Sequence, residues 1–553
     1  MFKNNHIKFK LSLILLPVVL LTVFLYSCNN EYDPTKDYKP IIAEHEDSRL
    51  DLRFEHAFTK IAQNEKSLGS NTYYIRLAKN EIEGCQFVLY SEKERENLTA
   101  EITEFKNDAG DSIPAELFIE HYISTGDSMT PDPIVPLNSE FNLEGSKSQA
   151  FLIKIKTTPE TQAGNYEAML SIKDGSKTIK QAKVFAKVWD FTLSEATACT
   201  TAMDLSHWAV YVKHEQWDSD DNELYKIYYD YLLENRVNAY YLPYDLLDPR
   251  VDEYLDNPRV TSFCITGYKT DYGIDKLNAI HQKLSKNEEW FDKGYFYYVD
   301  EPTDHNLLNQ IQYHAENLDY VYPGYKMVAP FFTDIAYDYN RDQIDFMSDY
   351  INIWCNKPYA YKSASLNKKE PEYIVQPEKY NKQYGTYAER MEDFKKRGDK
   401  VWWYVCWEPQ DPYTNILMEQ QGVVHRVLFW QQKQYKVDGF LYYAVNNWTA
   451  NPWEDAITGK HLVPHVYGDG VLIYDGAHVG IRGPIGSLRL EAVRDGIEDF
   501  EYLTMAEKEL GSRKTNSIIK KVTKNVLDYT KDDDTFVKAR IELGNKLEKA
   551  LKK

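Results

Sequence analysis

Positive charge is in short supply in this chain: 65 Lys and Arg stand against 85 Asp and Glu, a net charge of −20 at pH 7. A surface of that sign repels phosphate backbones and anionic headgroups, which excludes nucleic acid and electrostatic docking on a membrane. Cysteine is scarce as well. Apart from Cys28 there are only Cys85, Cys199, Cys264, Cys355 and Cys406, an odd number, widely spaced among apolar neighbours. That pattern reads as buried free thiols rather than a disulfide framework. No CxxC, HExxH or HxH spacing occurs, so no dedicated zinc site is expected, and neither a metal nor a cofactor is called for. No apolar run beyond the first thirty residues reaches the roughly 18 that a spanning helix needs.

What is present begins with an address. Lys3, Lys8 and Lys10 precede an apolar run from Leu11 to about Tyr26, which ends in Leu25-Tyr26-Ser27-Cys28. A small residue followed by Cys has the form of a bacterial lipoprotein cleavage site. Residues 1–27 are therefore expected to be a signal peptide, Cys28 the lipidated residue and 28–47 a polar tether. A transmembrane anchor is the alternative. The expected location is outside the cytoplasm, in the periplasm or on the outer-membrane surface of a bacterium, with the lipid as the chain's one link to a membrane.

Aromatic residues are abundant, with 44 Tyr and 11 Trp. Flat rings stack on the apolar face of a pyranose, so this composition suits a carbohydrate-binding surface.

The length suggests about two to four domains. Residues 48–195 show short alternating segments, such as Thr72–Leu77, Phe151–Ile155 and Tyr166–Ile172, broken by turn signals. They predict an antiparallel β-sandwich, with a hinge at Trp189-Asp190-Phe191. Residues 196–485 alternate strand and helix. Strands are predicted at Thr200–Met203, Ala239–Leu242, Ser262–Ile265, Tyr295–Val299, Met327–Pro330, Tyr350–Trp354, Val401–Cys406 and Phe440–Ala444. Eight strands with intervening helices predict a (β/α)8 TIM-like barrel. An open doubly wound sheet competes less well, because no Gly-rich phosphate loop follows the first strand. Residues 486–553 are expected to be helices packed on the barrel. The fold class is thus multidomain α/β: sandwich, barrel and helical C-terminus.

Barrel enzymes carry their chemistry where strands end. Here those endings include Asp300-Glu301-Pro302, Trp354-Cys355-Asn356, Trp407-Glu408-Pro409 and Asn446-Asn447-Trp448. Asp300 and Glu301 are the candidate catalytic pair. Glycosidic cleavage needs an acid for the departing oxygen and a second group to stabilise positive charge at the anomeric carbon. Neighbours on an ideal strand face opposite ways, so the two can share a pocket only if the strand breaks there. Pro302 disfavours helical geometry at Glu301 and is expected to hold it extended. The competing reading has Asp300 capping the helix that starts near Asp304. Glu408, after the seventh strand, offers a conventional nucleophile. Tyr298, His207, Trp208, Trp354, Asn356, Trp407, Glu408, Asn446 and Trp448 are candidate substrate contacts. Among them Trp448 ranks first, because amides beside an indole suit a sugar. Each tryptophan also fits a core role.

Three segments carry a family resemblance: Tyr295 to Pro302, Gly439 to Trp448, and Gly486 to Leu503. The chain resembles glycoside hydrolase family 123, the β-N-acetylgalactosaminidases. The likeness implies a retaining exo-enzyme in which the sugar's 2-acetamido oxygen attacks the anomeric carbon. Carried over, Asp300 would orient the acetamide, and Glu301 would protonate the leaving oxygen and then deprotonate water. The implied partner is a glycan, either a glycolipid or an oligosaccharide. Two other readings stand beside it: a conventional retaining glycosidase with Glu301 as acid/base and Glu408 as nucleophile, and a non-catalytic, lipid-anchored glycan-binding protein. In the third segment Leu490, Val493, Ile497 and Phe500 recur at helical spacing, with Ser487 as N-cap.

Overall fold

A computed structural model describes residues 33–216, 222–267, 272–332, 342–362, 385–455, 457 and 466–552. The expected signal peptide and Cys28 lie outside these residues. The described residues from 40 onward form one compact unit, to which residues 33–39 do not belong. Among the described residues no helix is long and apolar enough to cross a membrane.

Two sheets make up the N-terminal region. The first orders its strands as Leu50–His56, Ile82–Ser91, Lys147–Lys156, Ala115–Thr125 and Ser128–Pro136. The second runs Tyr73–Lys79, Lys177–Thr192, Gly164–Asp174, Arg95–Ile102 and Phe141–Leu143. Period-2 alternation builds the core between them. In Gly164–Asp174 it is Tyr166, Ala168, Leu170 and Ile172 that are buried, while Phe87 and Phe151 stack at 4.6 Å. One pairing departs from the antiparallel expectation, because Tyr73–Lys79 runs parallel to Lys177–Thr192.

Three boundaries need correction. The tether is shorter than expected, since Ala43 is buried and His45 and Asp47 donate backbone hydrogen bonds to Thr178 and Ile179. The first sheet also recruits Pro484–Ser487 and Tyr474–Asp475 from far along the chain. And Trp189 is no hinge: its strand continues to Thr192, and its buried indole donates to Asn545 at 2.8 Å.

The middle of the chain alternates strand and helix as anticipated, with ladders less complete than eight regular strands. Five parallel strands lie in the order Thr200–Met203, Gly439–Tyr442, Lys400–Val405, Ile353–Asn356 and Val328–Phe331. Phe263–Gly267 and Gly294–Tyr297 form a separate parallel pair. The strand expected at Ala239–Leu242 is reduced to one parallel bridge, Met203 to Ala239, and a second bridge joins Phe296 to Met327. Pro243 follows at once and supplies no N–H, which stops a ladder from propagating. An inner apolar cluster gathers Tyr240, Cys264, Tyr297, Cys355, Tyr404 and Leu441, among others.

Helix Gly422–Gln434 is buried on every face from Gly422 to Gln432, whereas others bury a single stripe. Leu308, Ile311, Ala315 and Leu318 of helix His305–Val321 follow i, i+3, i+7 spacing. Asp304, not Asp300, caps that helix by accepting from Leu307 N at 2.9 Å.

The C-terminal region is helical over Leu488–Leu510, Ser512–Val522 and Asp533–Leu551, with a short hairpin at Thr523–Asn525 and Asp528–Tyr529. Ser487 caps the first helix through Leu490 N at 3.0 Å. Leu490, Val493, Ile497 and Phe500 meet the main core, and every residue from Leu488 to Leu503 is buried. The opposite face is therefore buried too, and it carries charge. Arg426 bonds Asp499 at 3.0 Å, and Arg540 bonds Asp499 at 2.9 Å while also pairing with Glu81. Gly496 permits the closest approach, since a Cβ there would lie 2.3 Å from the Phe429 ring.

Candidate active site

The segment Tyr295 to Glu301 is read by alternation, then by its failure. Tyr295 and Tyr297 point into the inner cluster, whereas Phe296 belongs to the outer core and Tyr298 stacks on His314 at 4.0 Å. The strand ends at Tyr297. Glu301 then takes φ +41°, in the left-handed region, where a non-glycine residue costs about 1–3 kcal/mol. Its N–H donates to Pro330 O at 3.0 Å, which pins the turn. Pro302 thus removes the right-handed helix from the options, but the chain answers with a left-handed turn rather than the expected extension.

That turn lets both carboxylates contact the inner cluster. The Tyr297 hydroxyl donates to Asp300 Oδ1 at 2.7 Å, and the Tyr404 hydroxyl donates to Glu301 Oε1 at 2.5 Å. Asp300 is open to solvent yet ringed by protein. Desolvation by those walls raises its carboxyl above the ordinary range, Glu301 adds to the rise, and Tyr297 and Lys357 oppose it.

Lys357 follows the strand Ile353–Asn356, and its side chain is 3% exposed. Its ammonium lies 3.3 Å from Glu408 Oε2 and 3.6 Å from Glu301 Oε1. Phe332, Tyr404 and Trp407 surround it at 4.7, 5.3 and 5.9 Å from their ring centres. Burial pulls the ammonium's pKa down, but the neighbouring Cys406, Glu301 and Glu408 outweigh it and leave it raised.

Asp469 is a further buried carboxyl of this neighbourhood. It accepts from Tyr443 Oη at 2.7 Å, and burial pushes it up from 3.8 to about 6, with Tyr443, Arg489 and Lys357 opposing. The folded state therefore holds this proton more tightly than the unfolded chain. Its contribution is fully present below about pH 4 and is lost as pH rises through 6, a change of ~3 kcal/mol. Asp469→Asn is expected to raise the thermal midpoint at pH 8 and to leave it little changed at pH 4. A calorimetric comparison at the two values checks this.

Beside the pair lies a cavity of about 570 Å³ at the ends of the first strands, lined by Asp204, His207, Trp208, Tyr241, Tyr244 and Tyr272 among others. The two catalytic candidates are not in its lining. They stand on the neighbouring strand, where Tyr297 pairs with Gly267. Trp208 is 65% exposed. His207 stacks on Tyr211 at 4.2 Å, and burial holds its imidazole below the usual range against the opposing effect of a hydrogen bond to Asn222.

Of the residues singled out from sequence, Asp300, Glu301, Trp407 and Glu408 thus gather around Lys357, and His207 and Trp208 line the cavity. The rest face elsewhere. Tyr298 packs outward on His314. Trp354 is sealed in the outer core, stacked on Phe394 at 4.3 Å and donating to Asp399. Asn356, 1% exposed, sits two residues on and so on the same strand face as Trp354. Both ends of the Asn446 amide are spent on Ser206, accepting from its N–H at 2.8 Å and donating to its carbonyl at 3.0 Å. Trp448 donates to Ile473 O at 2.7 Å and packs against Tyr228, so it is a brace and not an open platform. Tyr297, Tyr404, Lys357 and Asp469 went unrecognised. Tyr297 had a signal in its two-residue spacing from Tyr295, and Lys357 in being a charge at a strand end. Nothing local marked the other two.

Among the described residues no group of His, Cys, Asp and Glu is arranged to hold a metal ion.

Strand-end carboxylates over a parallel sheet, with an aromatic cavity alongside, define a carbohydrate-active hydrolase. The family profile described as glycoside hydrolase 123, catalytic domain, matches residues 226–506. The chain belongs to that family and is a glycoside hydrolase. A family 123 glycoside hydrolase from Clostridium perfringens, whose structure was analysed for glycolipid glycan hydrolysis, superposes with TM-score 0.64 at 14% identity. The match covers 91% of this chain and 99% of that one, so the two share a fold. A family 39 glycoside hydrolase from Bacteroides cellulosilyticus matches at TM-score 0.32 and 10% identity, over 72% of this chain and 80% of that one. No curated protein matches the sequence.

Proposed function

We propose that this enzyme releases terminal β-linked N-acetylgalactosamine, or a closely related N-acetylhexosamine, with retention, using the substrate's own 2-acetamido oxygen as nucleophile. The observation that carries the reading is the divided anchoring of adjacent carboxylates. Asp300 is held by Tyr297, and Glu301 is turned by its left-handed backbone onto Tyr404 and Lys357. In the first step the acetamide oxygen bonds to the anomeric carbon as the glycosidic C–O bond breaks. Glu301 gives its proton to the leaving oxygen, and Asp300 accepts the acetamide N–H and balances its positive charge. In the second step water attacks the anomeric carbon, Glu301 takes its proton, and the acetamide is restored.

The parallel ladders, the two bridges and the shared inner cluster support closure of the strands into a (β/α)8 barrel, with the pair on its C-terminal rim. A glycolipid or oligosaccharide glycan is the proposed substrate class, supported by the glycolipid glycan hydrolysis studied in the Clostridium perfringens relative. The signal sequence ending at Cys28 supports a lipid-anchored protein outside the cytoplasm.

One observation favours a second reading: Glu408 shares an ammonium with Glu301, close enough to serve as a conventional nucleophile. Chromogenic β-GalNAc, β-GlcNAc and β-galactoside substrates separate the two. Turnover of 2-acetamido sugars alone, with inhibition by a thiazoline mimic, is expected. Hydrolysis of the β-galactoside at a comparable rate would overturn the acetamide mechanism.

A further inference from the structure

Glu301 must be able both to give up a proton and to regain one, yet a buried lysine lies against it. The groups facing Glu301 are Asp300 on its own segment, Tyr404 on strand Lys400–Val405, Lys357 and Tyr359 after Ile353–Asn356, and Cys406 beyond Tyr404. Burial pushes the Cys406 thiol up to about 12 and the Tyr359 hydroxyl higher still, so both are neutral at working pH. Among the described residues Lys357 is therefore the cation that Glu301 meets, and Glu408 and Asp469 are further carboxyls that this lysine answers to.

The distances are unequal. Lys357 stands within hydrogen-bond reach of Glu408, at 3.3 Å, and 3.6 Å from Glu301, with the rings of Phe332, Tyr404 and Trp407 around it. Tyr404 meanwhile fills the Glu301 oxygen that faces the lysine. Were Glu408 absent, Glu301 would be the one carboxylate left within ion-pair distance of the ammonium among the described residues, with Asp300 and Asp469 farther off.

Resting on the acid/base role proposed for Glu301, we propose that Lys357 is a positioning residue that stabilises the Glu301 carboxylate left behind when the leaving oxygen takes its proton, and that Glu408 tethers this lysine instead of attacking the sugar. Two opposed consequences follow. Removing the lysine makes Glu301 hold its proton more firmly, and removing Glu408 lets the lysine close on Glu301 and strip the proton early. Either change slows cleavage of poor leaving groups, which need the proton, far more than of activated ones.

The test is the pH profile of kcat/KM for wild type, Lys357→Met, Lys357→Arg and Glu408→Gln, whose alkaline limb reports the proton on the acid. Lys357→Met is expected to move that limb up by about one pH unit or more, and Glu408→Gln to move it down. Lys357→Arg keeps the charge and is expected to lie near wild type. The kcat for a poor leaving group falls tenfold or more in Lys357→Met, while a dinitrophenyl glycoside is little affected and KM barely changes. Carbon-13 NMR titration of the Glu301 carboxyl in the same variants gives a readout independent of turnover and is expected to move in the same directions. Superposed profiles and titrations would overturn the assignment, as would loss of all activity in Glu408→Gln, activated substrates included. Turnover without a 2-acetamido group would sink the mechanism proposed above while leaving these shifts in place, so the two failures are distinguishable.

Discussion

Replacing Glu301 with glutamine is expected to cut kcat/KM for an aryl or oligosaccharide β-N-acetylhexosaminide by about 10²–10⁴, the usual worth of a positioned acid/base. Glutamine keeps the shape and the acceptor for the Tyr404 hydroxyl, which donates to Glu301 Oε1 at 2.5 Å, but it has no proton to deliver. The loss is therefore to be steep with poor leaving groups and shallow with activated ones. Asp300→Asn is expected to behave differently. It removes negative charge from beside the acetamide in the transition state, and its loss is to be severe for every leaving group. It also removes an inflection. Desolvation raises the Asp300 carboxyl above 3.8, so wild-type activity is expected to decline on the acid side at a higher pH than an ordinary aspartate would give, and the variant's residual activity to lack that limb. A wild-type rate in either amide variant would remove the residue it replaces from the chemistry.

The second large effect concerns stability. Arg426, 2% exposed in its side chain, lies between Asp499 at 3.0 Å, Asp495 at 3.3 Å and Glu83 at 3.5 Å. It ties the sandwich strand Ile82–Ser91 to helices Gly422–Gln434 and Leu488–Leu510. Substituting leucine leaves Asp499 and Glu83 buried with Arg540, at 2.9 and 3.2 Å, and Asp495 with Arg494, at 2.6 Å, as their remaining counter-charges. Breaking such a buried pair by removing one partner costs about 3–5 kcal/mol, because an uncompensated charge stays behind. Denaturant unfolding of Arg426→Leu at pH 7.5 is expected to show that loss. The deficit is expected to narrow as the pH falls, since the orphaned carboxyls then take protons. Desolvation already raises Asp495 to about 7 against the pull of Arg494. An unfolding midpoint equal to wild type at every pH would show that the network contributes nothing net.

Much of this was legible from spacing alone. Alternation in segments such as Tyr166–Ile172 identifies sheet strands, and stripes such as Leu308, Ile311, Ala315 and Leu318 identify helices, because both periodicities follow from local backbone geometry. The neighbouring acids before Pro302 were visible for a similar reason: a proline restricts the residue before it wherever the chain goes. Direction was harder. Tyr298, Trp354 and Asn356 sit at strand ends and look equally available to a ligand, but strand register sends them to the outer face. Asn446 and Trp448 carry suitable chemistry that the fold spends on Ser206 and Ile473.

The amino-acid order by itself determined most of the strand and helix segments and which adjacent carboxylates could do the chemistry, since these depend on sterics and periodicity within a few residues. Only the tertiary structure decided what those carboxylates meet. Tyr404 is 103 positions from Glu301 and Arg426 is 343 from Glu83. No local pattern encodes such encounters, because they arise when separate strands and helices are packed and the faces they turn inward are settled together.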